Sequence, residues 1–136
     1  MFWRALERQP NVAREHLTAE QARALRTEWF VPQAKGRGPA AALPRLGLGI
    51  AIDDLDDARP GDFVQVWFNN ARGHSMIFHA WQRDATGTIT AIEFWSSQPW
   101  TDGVGRSTRR IGEGPRDIDR EAIHVARAWA GATPSE

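Results

Sequence analysis

Arg59-Pro60-Gly61-Asp62-Phe63-Val64-Gln65-Val66-Trp67-Phe68 is the stretch that decides how this chain folds. Proline and glycine in succession supply the opposite signs of φ that a tight turn needs, so residues 59–62 read as a turn. Beyond it the apolar period is two. Phe63, Gln65 and Trp67 point one way and Val64, Val66 and Phe68 the other, and a strand apolar on both faces belongs in the middle of a sheet. Asn69-Asn70-Ala71-Arg72-Gly73 then reads as a hairpin loop, His74 to Trp81 as a second strand, Asp84 to Gly87 as another hairpin turn and Thr88 to Trp95 as a third strand. An antiparallel meander therefore occupies the centre of the chain. Residues 101–117, rich in Gly, Arg and Asp, read as a long loop. Ile118 to Trp129 suits a helix or a strand, and Ile123 and Val125 favour the strand.

Upstream of the turn the period is helical. Phe2 to Glu15 reads as a short amphipathic helix ended at Pro10. Thr18 with Gln21 forms a capping-box pattern, and Ala22, Leu25 and Trp29 follow on one helix face before Pro32 closes it. Lys35 to Pro39 is a loop by composition, Ala40 to Leu48 suits a short helix interrupted at Pro44, and the acidic run from Ile50 to Asp57 suits a helical turn. Helices first and a meander afterwards give an α+β class. The 136 residues make one domain, with a helical part over 1–32 and a sheet part over 59–129.

Composition narrows the function. Seventeen basic and 17 acidic side chains give a net charge of zero, so no global field draws the chain to nucleic acid. No apolar run is long enough for a membrane span, and Met1-Phe2-Trp3-Arg4 leads into polar sequence rather than a secretory signal. The default location is then the cytoplasm, with secretion expected if an upstream segment is missing. The chain has no cysteine, which removes disulfides, thiolate metal sites and thiol catalysis. The histidines and acids form no spaced zinc set, no phosphate loop is present, and no cofactor is expected.

His74 is the sharpest chemical candidate. It follows Gly73 at the start of a strand, where a neutral imidazole can accept a proton from a nucleophile or from water. The bland alternative is a histidine bonding a loop carbonyl. A working base needs a partner on its second ring nitrogen, and Ser96, Ser97 or Gln98 at the end of the third strand could supply it, as could Glu93. His79 falls on the opposite strand face from His74. Most tryptophans read as sheet packing. Trp95 and especially Trp100, between Pro99 and Thr101, are candidates to line a groove for a sugar or apolar ligand.

Taken in order, Arg59-Pro60-Gly61-Asp62-Phe63-Val64, Gly73-His74-Ser75 and a polar-ended third strand resemble the C-terminal half of papain-like amidases and peptidases of the NlpC/P60 and CHAP type. The resemblance covers roughly residues 45–100 and implies a papain-like core acting on peptidoglycan or peptide amides. It assigns His74 as the base and leaves the orienting residue open among Glu93, Ser96 and Gln98. In that family a cysteine on an N-terminal helix is the nucleophile, and this chain has none. Phe2-Trp3-Arg4-Ala5-Leu6 is similar to the later turns of such a helix. The expectation is therefore an upstream segment carrying the thiol, or true loss of catalysis, and in either case no hydrolysis by these 136 residues. A non-catalytic glycan- or peptide-binding module and a structural partner-binding domain are the competing readings. Oligomeric state is not encoded in any of these features.

Overall fold

The computed structural model describes residues 18–29, 35–98 and 100–129. The helix expected over 2–15 and the tail from 133 lie outside them. Helix α1, Ala19–Trp29, opens on a reciprocal capping box: Thr18 N–H donates to Gln21 Oε1 at 2.9 Å and Gln21 N–H to Thr18 Oγ1 at 3.1 Å. Helix α2, Pro39–Arg45, begins with proline in its first turn and carries Pro44 in its last. Gly38 precedes it at φ 55°, with Gln65 so close that a Cβ there would sit 3.0 Å from its side chain. Leu25 and Trp29 of α1 and Ala42 and Leu43 of α2 pack with Phe63 and Ala126 in one core. These two short helices thus cover one face of a sheet.

The sheet has six strands: β1 Gly49–Ile52, β2 Phe63–Phe68, β3 Gly73–Arg83, β4 Ile89–Gln98, β5 Gly103–Arg110 and β6 Ile118–Ala128. A 3-10 turn, Leu55–Asp57, follows β1. The spatial order is β1-β6-β2-β3-β4-β5, with every neighbouring pair antiparallel. After β5, Gly112 N–H donates to Ile118 O at 3.2 Å and Ile111 bridges Ile118. That link ties the last strand in the order back to β6, so the sheet curls towards an incomplete ring. Val64, Val66, Met76, Phe78, Ile92, Phe94, Ile111, Ile118 and Val125 fill its inner face as a second core.

The expected α+β arrangement, N-terminal helices followed by a meander with a papain-like core, is overturned by this sheet. The strands read at 63–68, 74–81, 88–95 and 118–129 are present, but two more were hidden. The four residues of β1 run directly into the acidic 3-10 turn. β5, Gly-Val-Gly-Arg-Ser-Thr-Arg-Arg, occupies the segment read as a loop, because a strand paired on one side shows little apolar alternation. β6 also inserts between β1 and β2, pairing residues 50 to 79 positions apart, which no local pattern announces.

The 59–62 turn has a structural anchor. Gly61 adopts φ 99°, and Asp62 is 4% exposed. Its carboxylate accepts from Arg127 Nε and Nη2 of β6, each at 2.9 Å, and from Arg59 N–H at 2.8 Å. The Arg127 guanidinium is held further into its charged range by that contact.

Candidate functional site

His74 lies one residue into β3, paired with Val66 of β2. On the other side, β3 and β4 run with Ile77 opposite Trp95 and Phe78 opposite Phe94. Continued outward, that register sets His74 against Gln98. The side chains meet there: Gln98 Nε2 is 2.7 Å from His74 Nε2 and donates to Ser96 Oγ at 3.1 Å. Ser96 is fully buried. Gln98 itself is fixed by the turn after β4, since its N–H donates to Thr101 Oγ1 at 2.9 Å and Thr101 Oγ1 lies 2.6 Å from Gly103 O.

The surroundings disfavour the protonated imidazole. Burial, and secondarily the positive charge of Arg109, push the His74 pKa below 6.5. The Phe94 ring stands edge-on at 6.2 Å. Arg109, carried by β5 opposite Ile92, holds its guanidinium 5.5 Å from the centre of the Phe68 ring. Two arrangements satisfy the His74–Gln98 pair. With the amide nitrogen donating to Nε2, the ring proton resides on Nδ1. After a half-turn of the amide, Oε1 accepts from Nε2–H and Nδ1 becomes the bare, basic nitrogen. Each arrangement selects one tautomer, and only the second leaves a ring nitrogen, Nδ1, free to act as a general base.

The backbone under His74 is shaped by the opposite face. A Cβ at Gly73 would lie 2.8 Å from Trp67 Cζ3 and 3.0 Å from Gln65 Nε2, so only glycine fits beside the histidine. Ser75 points to the helix side, where its hydroxyl donates to Gln65 Oε1 at 2.6 Å and accepts from Trp29 Nε1 at 3.0 Å. Gln65, 7% exposed, also donates to Val66 O at 3.1 Å.

The other sequence candidates divide clearly. His74, Ser96 and Gln98 come together. Glu93 pairs with Ala80 and Thr108, five positions along β4 from Gln98 and on the other face, so it does not meet His74. Trp95 shares that outer face and stacks edge-on with His79 at 6.2 Å. Trp100 stands 65% exposed in the turn two residues beyond Gln98. An open cleft of about 590 Å³ lies elsewhere, lined by Asp53, Asp54, Asp56, Arg83 and Arg120, and contains none of the candidates. Among the described residues no group of three histidines or acids is placed to hold a metal ion, and no helix is long and apolar enough to cross a membrane.

Arg109, Thr101 and the Gln65–Ser75–Trp29 network went unread in the sequence. Only the polar residues inside an apolar strand pattern, Gln65 and Ser75, could have flagged the last. Compared with family models, curated proteins and solved structures, the chain gives no match in any of the three.

Proposed function

We propose that His74 and Gln98 are the base and its orienting residue in a site for peptide amides, of the kind that NlpC/P60- and CHAP-type amidases use. The 136-residue chain, having no cysteine, binds such amides without hydrolysing them. The observation that carries this reading is the 2.7 Å contact between Gln98 and His74 Nε2, made by the third element of the Pro-Gly-Asp, Gly-His, polar-end order. It rests on that local chemistry and on no papain-like architecture.

In amidases of that kind the base takes a proton from a thiol, and the thiolate attacks the amide carbonyl. The C–N bond breaks as the imidazolium returns the proton to the departing amine, leaving an acyl thioester; these 136 residues supply no such thiol. Among the described residues no hydroxyl beside His74 replaces that thiol. Ser75 is on the opposite face and bound to Gln65 and Trp29, while Ser96 is buried against Gln98. Arg109 adds positive charge beside the imidazole, which suits a substrate carrying a carboxylate near the amide.

A second reading, a glycan- or peptide-binding module without a role for the imidazole, draws on the 65% exposure of Trp100. Titrating the 15N-labelled chain with soluble disaccharide-peptide fragments of peptidoglycan separates the two. The first expects the His74 ring and Gln98 amide signals to move together, with His74→Ala weakening binding. The second expects movement of the Trp100 indole alone and no effect of His74→Ala. Amide hydrolysis by the chain alone would contradict the first, and signals unmoved throughout would contradict both.

A further inference from the structure

We propose that the outer edge of β5 binds an extended acidic segment of a partner protein, which adds one more antiparallel strand to the sheet. The backbone supplies the first argument. Ile111 N–H donates to Thr90 O at 2.9 Å, and β5 keeps an unbroken register with β4 from Arg110 to Gly103. In an antiparallel ladder every second residue bonds inward, so the N–H and C=O groups of Val104, Arg106, Thr108 and Arg110 point away from β4. Among the described residues no backbone partner meets those of Val104, Arg106 and Thr108, since β5 ends the strand order, whereas beyond Arg110 the edge closes against β6, where Ile111 bridges Ile118. All four residues are exposed, and the strand contains no proline. Such an edge is a template for another strand.

Charge selects the occupant. The eight residues of β5 include Arg106, Arg109 and Arg110 and no acid. A second copy pairing edge to edge would set arginines against arginines, which like-charge cross-strand pairs disfavour. An acidic strand meets the opposite situation. Arg106 meets the ring of His79 rather than a carboxylate, with Nη1 3.2 Å from Nε2. Arg110 has one long ion pair, 3.5 Å to Asp117, and is 76% exposed, so it can turn to a better carboxylate. Apolar surface marks the same place. Of the four exposed large hydrophobic residues among those described, Trp95, Trp100 and Val104 lie on this edge or beside it, and Trp95 pairs directly with Arg106.

The pattern follows from the strand period. A segment running antiparallel to β5 starts beside the Arg110 side chain and places its following side chains opposite Thr108, Arg106 and Val104 at every second position. It therefore carries acids four residues apart and an apolar residue two further on. The probe is a synthetic peptide as long as β5 with glutamates and a valine at those positions, and its control has lysines for the glutamates. Amide hydrogen exchange by NMR gives the readout. The glutamate peptide is expected to slow exchange at Val104, Arg106 and Thr108 by at least about tenfold, and the lysine peptide not at all. Thr108→Pro removes an outward N–H at an edge position that tolerates proline and is expected to abolish binding while β4 and β6 amides stay protected. The double variant R106E/R110E is expected to prefer the lysine peptide, which keeps the test decisive should Thr108→Pro fail to fold. Equal binding of the two peptides, no added protection at the three amides, or a free chain that is already a dimer with those amides protected would overturn the proposal.

Discussion

Replacing Asp62 by alanine tests the anchor beneath the Pro-Gly-Asp turn. The carboxylate is 4% exposed and makes three charge-assisted bonds, two from Arg127 at 2.9 Å and one from Arg59 N–H at 2.8 Å. Removing one member of a fully buried ion pair costs about 3–5 kcal/mol, because the other charge is left without a partner. Arg127 is 26% exposed on its side chain and retains a bond to Asp57 O at 3.0 Å, so water relieves part of that cost, and about 2–3 kcal/mol remains. With a urea slope of about 1–3 kcal/mol per molar, the unfolding midpoint falls by roughly 0.7–3 M. The double variant D62A/R127M separates coupling from desolvation: it is expected to be more stable than Asp62→Ala alone, because the stranded guanidinium is gone. A midpoint shift below about 0.3 M for Asp62→Ala, or a double variant no better than the single one, would refute the reasoning.

Ser75→Ala leaves both Gln65 Oε1 and Trp29 Nε1 without the hydroxyl that joins them, and a loss of about 1–3 kcal/mol in urea unfolding is expected. Gly73→Ala drives a methyl into Trp67 and Gln65; an expected cost of about 1–3 kcal/mol is accompanied by displaced His74 ring signals. Burial, ahead of Arg109 for His74 and Arg37 for His124, holds both pKa values below 6.5. The unfolded chain then binds more protons in acid, so stability is complete above about pH 6.5 and declines as the pH falls below it. Urea midpoints taken from about pH 7.5 down to about pH 5 are expected to fall in the parent and to fall less in H74N/H124N; equal declines would contradict the assignment.

Much of the central sheet was legible because its residues speak for themselves. Phe63 to Phe68 alternates with both faces apolar and is central in the structure, between β6 and β3. The capping pair Thr18 and Gln21 was readable for the same reason, being a contact three residues apart. What stayed hidden depends on distance or on an open side. β5 has glycine and arginine where a buried strand has valine, because its outer edge faces no neighbour. One of those glycines, Gly105, is forced by Thr101, whose Cβ would lie 2.9 Å from an added methyl. At the site, His74 stood out by its type and position. The choice of Gln98 over Glu93 needed the β3–β4 register, which a bulge between Phe78 and Ala80 shifts. Arg109 reaches the site through curling of the sheet, and a strand pattern carries no trace of that.

The central claim, that Gln98 poises His74 as a neutral single-tautomer base, is tested most directly by NMR of the His74 ring nitrogens across pH. The account predicts a pKa below 6.5, one dominant tautomer in the parent chain and a mixture in Gln98→Ala. A ring that titrates like a free histidine, with the same mixture of tautomers whether or not Gln98 is present, would contradict it.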